Sequence, residues 1–546
     1  MDASVQYQTQ IVGALPAITA YFDKLDLAAT VDRLVPWEGE IPLGTLVEVL
    51  ITNRLLRPKA LFRIGEWAQD AAVTDYYDLT AAQLNDDRLG RALERLPRYA
   101  EAIQAALTLK AIEQFQLDVH QIHYDISNVE LYGAYEDSQR AEGQETTVPV
   151  PAYGRTKSGR KHVKQIQFGL DVTGDGGVPV GHLPLDGNAA EVNSHLENLK
   201  RLGRILPKGR LLYIADTKLD APENLLAIAA RGGQFLSGGV LSPQLQGRYL
   251  QLRDRLHRVD YFPQSQAKLP PEERDAYKAL EVTEHLEGSV GDQRARLDYR
   301  LIFVWSEAKA RQEAITRERH VAKIRAEFEA VARNLGRYSL KTTGAILRRL
   351  EAAKGKYGEG DLFAYHLEQD PSGRFRFDWG LDAAAVQRWE ALEGVYVLKT
   401  NLPRPGYRLT KVLRLYKGQS QAERRFHHLK GPLAVAPMFL KDPERMAGLL
   451  CILIWALMVL ALMERQVRRE LKGRPLYGLY PEGRPVAAPT GPALMECFSG
   501  WCIVIVQRDG TIDRQLAQPT PVQHRILKLL GIHGNRLRTF RRRCGT

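Results

Sequence analysis

The spacing of apolar residues divides the chain into a helical first part and a part in which strands and helices alternate. Up to about residue 115, apolar residues recur at helical spacing between breaks at prolines. From about residue 118, short apolar runs with strand-like alternation are followed by helical segments. The strand-like runs are 119–125, 163–172, 178–185 and 211–216, and the helical segments are 191–202 and 224–230. Strands followed by helices predict an α/β sheet.

A long segment between residues 216 and 423 interrupts this alternation. It holds strand-like runs at 299–304, 374–377 and 395–398 and a helix rich in charged residues at about 307–335. We interpret it as an inserted α+β domain. The predicted organisation is a helical N-terminal domain (1–115), a first core part (116–235), the insertion (236–400), a second core part (401–475) and a C-terminal extension (476–546).

One apolar segment bears on the class of protein. Residues 446–463 form a run of 18 residues without a charge, which reaches the length of a membrane span. The run follows a helix-start signal, Asp442-Pro443-Glu444, and continues into Glu464 and Arg465. A wholly buried helix is also apolar on every side. We therefore predict a buried core helix, with a membrane span as the alternative.

Charge points to a polyanionic partner. The 546 residues carry a net charge of +12, and the pI is about 9.3. Such a balance favours nucleic-acid binding, although solvated surface charge is an alternative. Residues 519–546 contain arginines and lysines but no Asp or Glu. This composition indicates either a segment that contacts backbone phosphates or a disordered tail. The four cysteines form no Cys-x-x-Cys pair, and free thiols favour a reducing cytoplasm.

Three acidic residues are candidates for a metal site. Asp125 and Asp216 each end a predicted strand, and Glu423 lies on a predicted helix that would pack on the sheet. Mg²⁺ prefers oxygen ligands, and phosphodiester chemistry needs such ligands to converge from rigid elements. Taken singly, a strand-end aspartate is equally typical of a turn or a helix cap. Asp171 and Asp175 compete as strand-end acids, but a glycine-rich hairpin turn explains them.

Polar groups follow one side of the segment that contains Glu423. If residues 416–430 form one helix, the aromatic, amide, carboxylate, imidazole and amine groups line up at helical spacing. These residues are Tyr416, Gln419, Glu423, Phe426, His427 and Lys430. The alternative is a solvated helix with a basic face.

The same segment resembles the signature helix of the DDE transposases of bacterial insertion sequences, written Tyr-x2-Arg-x3-Glu-x6-Lys. The signature is present here as Tyr416, Gln419, Glu423 and Lys430, with Gln419 at the position that usually holds Arg. Three further segments resemble that family: 84–93 before the catalytic domain, 184–188 after the first Asp, and 394–401 before the Glu.

The resemblance implies an RNase H-like catalytic core and cut-and-paste DNA transposition at terminal inverted repeats. It implies that Asp125, Asp216 and Glu423 hold two Mg²⁺ ions, with Mn²⁺ as a substitute. Contacts with DNA near the cleaved strand would come from Tyr416, Gln419 and Lys430, and the helical N-terminal domain (1–115) would bind DNA at the ends of the element. Other implied properties are double-stranded terminal and target DNA as partners, a homodimer in the synaptic complex, and a cytoplasmic, nucleoid-associated location without a membrane partner.

Other functions remain open on sequence alone. A metal-dependent nuclease could use the same core without joining DNA. A catalytically inactive DNA-binding relic of a transposase is a further alternative, because Gln419 departs from the family pattern.

From the sequence we expect Gln419→Arg to maintain or raise DNA cleavage. Arginine makes charge-assisted bidentate contacts with phosphate, which glutamine cannot make. A strand-cleavage assay with terminal-repeat DNA measures this, and a clear loss would contradict a phosphate contact by residue 419.

Overall fold

The computed structural model describes residues 6–132, 135, 148–154, 160, 162–206, 210–434, 440–480, 482–508 and 511–545. The side chains of Asn535 and Arg536 also lie outside the description, so the predicted phosphate contact of Arg536 is not among the described residues.

Helices and strands both contribute throughout the chain, so the fold class is mixed α/β. The helices are α1 (Leu15–Leu25), α2 (Leu27–Leu34), α3 (Leu43–Leu56), α4 (Ile64–Asp70), α5 (Val73–Tyr77), α6 (Asp86–Arg95), α7 (Ala100–Phe115), α8 (Glu191–Ile205), α9 (Pro222–Ala230), α10 (Pro243–Leu252), α11 (Glu307–Arg333), α12 (Thr343–Gly355), α13 (Ala383–Leu392), α14 (Leu409–Lys417), α15 (Ser420–Lys430), α16 (Pro443–Leu471), α17 (Gly491–Cys497), α18 (Pro521–Leu529) and α19 (Asn535–Arg543). The strands are β1 (Gln6–Ile11), β2 (Gln121–Glu130), β3 (Ala152–Tyr153), β4 (Lys164–Thr173), β5 (Pro179–Leu185), β6 (Leu212–Ala215), β7 (Gln234–Gly239), β8 (His257–Arg258), β9 (Tyr277–Val290), β10 (Gln293–Ser306), β11 (Phe363–Gln369), β12 (Phe375–Leu381), β13 (Val395–Thr400), β14 (Cys502–Arg508) and β15 (Thr511–Leu516).

The chain forms two compact units. The first contains Met1–Gln234 and Lys417–Thr546, and the second contains Phe235–Tyr416. The second unit is therefore inserted into the first along the chain, and its end falls inside the signature segment, between Tyr416 and Lys417.

The sheet of the first unit has the strand order β5-β4-β2-β6, with the short β3 also beside β4. Neighbouring strands are antiparallel from β5 through β4 to β2, whereas β2 and β6 are parallel. A parallel connection needs a long crossover, and the segment between β5 and β6 supplies one in α8. Helix α8 packs on one face of the sheet, and α15 packs on the other.

Strand β2 is longer than predicted. Asp125 was expected to end it, but the ladder with β4 continues to Glu130. Polar residues after Asp125 hid this extension, because Ser127 and Asn128 break the apolar pattern. Both are buried, and the Asn128 amide donates to Gln165 Oε1 at 2.8 Å, which satisfies its donor inside the sheet.

The ends of the chain pair with each other. Strand β1 pairs antiparallel with β14, which in turn pairs with β15. The prediction of an all-helical N-terminal part was wrong at β1, since its partner lies at the other end of the chain and leaves no local signal. The basic tail forms α18 and α19, and Phe540 of α19 stacks on Tyr76 with ring centroids 5.5 Å apart.

The long apolar helix α16 passes through the core of the first unit. It is the helix in the described residues that is long and apolar enough to cross a membrane, and its most apolar 18-residue window is 100% buried in the protein. This burial is what the core-helix prediction requires. Helix α6 crosses α16 at Gly448, where a Cβ atom would lie 2.1 Å from the Leu93 carbonyl oxygen, so only glycine allows the approach.

The second unit is built on a long hairpin. Strands β9 and β10 pair over their full lengths, and β13 pairs with β10 on one side and with β7 on the other. The charged helix predicted near 307–335 is α11, whose Ile324, Phe328 and Val331 pack into an apolar cluster with α12 and β11. The rest of α11 presents charged residues.

Buried histidines should make the first unit sensitive to mild acid. Burial lowers the pKa of His182 to about 3 and that of His195 to about 4. The unfolded chain binds protons at these positions below its ordinary pKa near 6.5, while the folded chain does not. The two buried histidines therefore favour the folded chain fully above that pH, and their contribution to the free energy of unfolding is lost as the pH falls towards 4.

We predict that urea unfolding loses less stability between pH 7 and pH 4.5 in His195→Gln than in the unmodified protein. His533→Gln removes an exposed histidine and serves as the control. An unchanged pH dependence in His195→Gln would contradict the account.

Candidate functional site

The register of the parallel ladder between β2 and β6 relates the positions of Asp125 and Asp216. Gln121 pairs with Leu212 and His123 with Ile214, so partners lie 91 residues apart (212 − 121). Asp125 and Asp216 are separated by the same 91 residues (216 − 125). The same register, carried two residues beyond the last pair, would set the two aspartates level on adjacent strands. Asp216 keeps an extended backbone just after β6, so the extension is continuous.

Both aspartates lie on the face of the sheet that α15 covers. Side chains alternate along a strand, so Asp125 shares its face with His123. Both carboxylates are half-buried. Asp125 Oδ1 accepts the Ile126 amide at 2.8 Å. Asp216 Oδ1 accepts the Lys218 amide at 3.0 Å and caps a short 3₁₀ turn, Thr217–Leu219. Asp216 is thus a cap as well as a candidate ligand.

The signature segment is not one helix. Helix α14 ends at Lys417, a turn follows at Gly418 and Gln419, and α15 begins at Ser420. The break also coincides with the boundary between the units. Tyr416 belongs to the second unit, where its ring stacks on Tyr396 with centroids 6.4 Å apart. Gln419, Glu423 and Lys430 belong to the first unit.

Gln419 ties the start of α15 to β2. Its Nε2 donates to the Tyr124 carbonyl oxygen at 2.8 Å, and its Oε1 lies 3.1 Å from His123 Nδ1. His123 is fully buried. The position that precedes Asp125 in β2 is therefore bonded directly to the helix that carries Glu423.

Arg425 ties the opposite edge of α15 to the turn between β4 and β5. Its guanidinium donates to the carbonyl oxygens of Gly177 and Gly176 at 2.8 and 2.7 Å. It also forms two hydrogen bonds with the Glu464 carboxylate of α16, at 3.1 and 3.2 Å. Burial raises the pKa of the Glu464 carboxyl, but the charges of Arg425 and Arg468 outweigh burial and leave the pKa below its usual value.

Glu423, His427 and Lys430 form an exposed polar rim on α15. Gln421 and Arg425 on the other edge bond to the β4–β5 turn, which adjoins the start of β2. The polar rim therefore lies on the edge of α15 opposite that turn.

The competing acids have other partners. Asp171 lies on the opposite face of the sheet, where it is fully buried, forms an ion pair with Arg201 and accepts the Asn198 amide at 2.6 Å. Burial raises the pKa of Asp171. Asp175 forms an ion pair with Arg465 in the hairpin turn. Neither shares a face with Asp125 in a way that would complete a metal site.

The carboxylates of Asp125, Asp216 and Glu423 are ligands of the type that Mg²⁺ or Mn²⁺ prefers. In the described residues, no group of three or more His, Cys, Asp or Glu side chains is close enough to hold a metal ion. Within the described part of the chain, the structure thus leaves Asp125 and Asp216 just beyond the last pairs of β2 and β6 and Glu423 on the exposed edge of α15, without assembling the three acids. The donor chemistry fits a divalent cation.

Sequence reasoning missed the residues that place α15. Arg425 was grouped with the basic solvated face, yet it is only 2% exposed. A signal was available, because Arg425 lies three residues after Ala422 and four before Leu429, within the apolar stripe. His123 and Glu464 had no local signal, since each acts through a residue distant in sequence.

We predict that Arg425→Met destabilises the first unit by about 3 kcal/mol, because it leaves Glu464 buried with part of its charge uncompensated. Arg424→Met changes an exposed neighbour and should alter the free energy of unfolding by less than about 0.5 kcal/mol. Urea unfolding measures both. Equal effects of the two substitutions would contradict the structural role of Arg425.

Comparison with known proteins gives a family match and several structural matches. Residues 7–107 match the family model of a domain of unknown function (DUF4277). No curated protein matches the chain. Six chains of solved structures match, among them a cryo-EM structure of the piggyBac transposase synaptic complex with hairpin DNA. That match has a TM-score of 0.37 and 8% sequence identity, and it covers 90% of this chain and 82% of that chain. The functional argument therefore rests on the residues of this chain.

Proposed function

We propose that this protein is a DDE-type DNA transposase, which cleaves and joins DNA strands at the ends of an insertion sequence. The observation that carries the proposal is the shared 91-residue offset of the β2–β6 ladder and of Asp125 and Asp216. A parallel ladder brings two acids to one level only when their separation matches its register. The third acid, Glu423, lies on a helix bonded to the same strand.

The strand arrangement supports an RNase H-like core. Three antiparallel neighbours, β5, β4 and β2, are followed by β6 in parallel to β2, and helices α8 and α15 pack on opposite faces. The resemblance of the signature segment implies this core, and the inserted second unit lies where the resemblance expects an insertion, between the second Asp and the Glu.

Asp125, Asp216 and Glu423 would hold two divalent cations. Bound there, such ions polarise the scissile phosphate and lower the pKa of the attacking water. The protein itself supplies rigidity. Asp125 lies within a strand paired on both sides at its start, and Asp216 is held by its cap hydrogen bond. Rigid carboxylates reduce the reorganisation needed when charge develops on the phosphate.

Basic side chains near these acids fit a DNA backbone. Lys430 lies on the same rim as Glu423, two helical turns later, and is exposed. Its ammonium group can contact a phosphate next to the cleaved bond. With a net charge of +12, the chain attracts DNA over a longer range. The proposed partners are therefore terminal inverted repeats and target DNA, held by a homodimer in the cytoplasmic nucleoid.

We predict that Asp125→Ala, Asp216→Ala and Glu423→Ala each reduce Mg²⁺-dependent cleavage of terminal-repeat DNA by about 100-fold or more, because each removes a metal ligand. DNA binding without metal should remain. Glu223→Ala, an exposed acid on α9, is the control and should cleave normally.

The reaction products separate a transposase from a nuclease. A transposase joins the freed 3′ ends to a target plasmid, whereas a nuclease yields only cleaved ends. Cleavage at the unmodified rate in any of the three acid variants removes that residue from the site, and cleavage without joined products rejects transposition.

A further inference from the structure

We propose that Gln419 is a positioning residue, which holds α15, and with it Glu423, at a set distance from Asp125. The inference rests on the proposed function and refines its site. It assigns to Gln419 a role within the protein, in place of the DNA contact that the resemblance implies for this position.

The hydrogen bonds around Gln419 form a chain with a single consistent direction. Gln419 Nε2 donates to the Tyr124 carbonyl oxygen, so its Oε1 is left to face His123 Nδ1. An amide oxygen only accepts, and His123 Nδ1 must therefore carry the proton. His123 Nε2 then accepts from Gln121 Nε2 at 2.7 Å. Reversing the Gln419 amide would set two oxygens against each other at Tyr124.

Glutamine can both donate a hydrogen bond to the Tyr124 carbonyl and accept one from His123 Nδ1. Arginine has donors but no acceptor, so it could bond to both groups only if His123 carried its proton on Nε2 and the Gln121 amide turned to accept it. Glutamate can accept the His123 proton but cannot donate to the Tyr124 carbonyl. Of these three side chains, glutamine bonds to both groups without changing its neighbours, and an intact site is compatible with this departure from the family pattern.

Because of their location, these hydrogen bonds can set the position of Glu423 relative to Asp125. Tyr124 precedes Asp125 directly, and Gln419 lies one helical turn before Glu423, at the break that starts α15. Arg425 holds the other edge of the helix at the β4–β5 turn. Without Gln419, α15 would keep that anchor and lose the one beside Asp125, so Glu423 would move relative to the aspartates.

A phosphate contact makes a different demand on the same side chain. Both polar atoms of Gln419 are bonded inside the first unit, and binding a phosphate would cost these bonds. The expectation drawn from the sequence for Gln419→Arg therefore reverses: arginine should impair the site.

The test compares Gln419→Met and Gln419→Arg with the unmodified full-length protein. Methionine keeps the volume of glutamine and removes both hydrogen bonds. Gln421→Met is the matched control, because Gln421 lies on the same helix and donates only to the Gly174 carbonyl in the turn. Mn²⁺ affinity is measured by electron paramagnetic resonance without DNA, and DNA affinity is measured over a salt series without metal.

We expect both Gln419 variants to bind Mn²⁺ about tenfold or more weakly, as for the loss of an outer-shell partner of a metal ligand. Excess Mn²⁺ should partly restore cleavage. DNA affinity should change little, and Gln421→Met should bind Mn²⁺ normally. The melting temperature of the Gln419 variants should fall modestly, because His123 and the Tyr124 carbonyl lose a partner, so Mn²⁺ affinity is compared at a temperature at which every variant is folded.

Two results would overturn the inference. If Gln419→Arg binds DNA more tightly, with a salt dependence steeper by about one ion, and keeps its Mn²⁺ affinity, residue 419 is a phosphate contact. If both variants lower the melting temperature while Mn²⁺ affinity follows the folded fraction, the hydrogen bonds only support folding. The Mn²⁺ measurement does not depend on catalysis. If the unmodified protein binds Mn²⁺ but does not cleave DNA, the proposed function is rejected, and the comparison of Mn²⁺ affinities still tests the role of Gln419.

Discussion

The buried ion pair between Arg425 and Glu464 is the interaction on which the arrangement of the first unit depends. The two side chains are 2% and 1% exposed. Removing two charges from water costs several kcal/mol for each ion, and this cost is offset only when hydrogen bonds satisfy both groups. Arg425 is satisfied by two turn carbonyls and Glu464, and Glu464 also accepts the Gly491 amide at 2.8 Å. Helix α15, the β4–β5 turn and α16 must therefore be placed together.

Two further constraints act on the same helix. The parallel register relates β2 to β6 by the same offset as Asp125 and Asp216, and Gln419 fixes the start of α15 beside the strand of Asp125. The anchor formed by Arg425 is ionic and holds the helix at the β4–β5 turn, whereas the anchor formed by Gln419 is neutral and bonds to the residue before Asp125. A charged anchor beside Asp125 would compete with a metal ion for the carboxylate, whereas an amide does not.

Much of the sheet was predictable from the sequence, because strands β2, β4, β5 and β6 carry apolar alternation of their own. The adjacency of Asp125 and Asp216 was also within reach, since both follow apolar runs that would pair in parallel. The break at Gly418 was signalled weakly by glycine, which disfavours a helix interior by about 1 kcal/mol. The burial of Arg425 and the pairing of β1 with β14 depend on partners far along the chain, which local patterns do not report. The metal-ligand roles of the three acids remain predictions.

The most direct test of the acidic site is an anomalous-scattering map from crystals grown with Mn²⁺ and terminal-repeat DNA. The account predicts two manganese peaks about 3.5–4 Å apart, bound by the carboxylates of Asp125, Asp216 and Glu423. Manganese bound at other residues, or to Asp125 and Asp216 with Glu423 turned away, would contradict it.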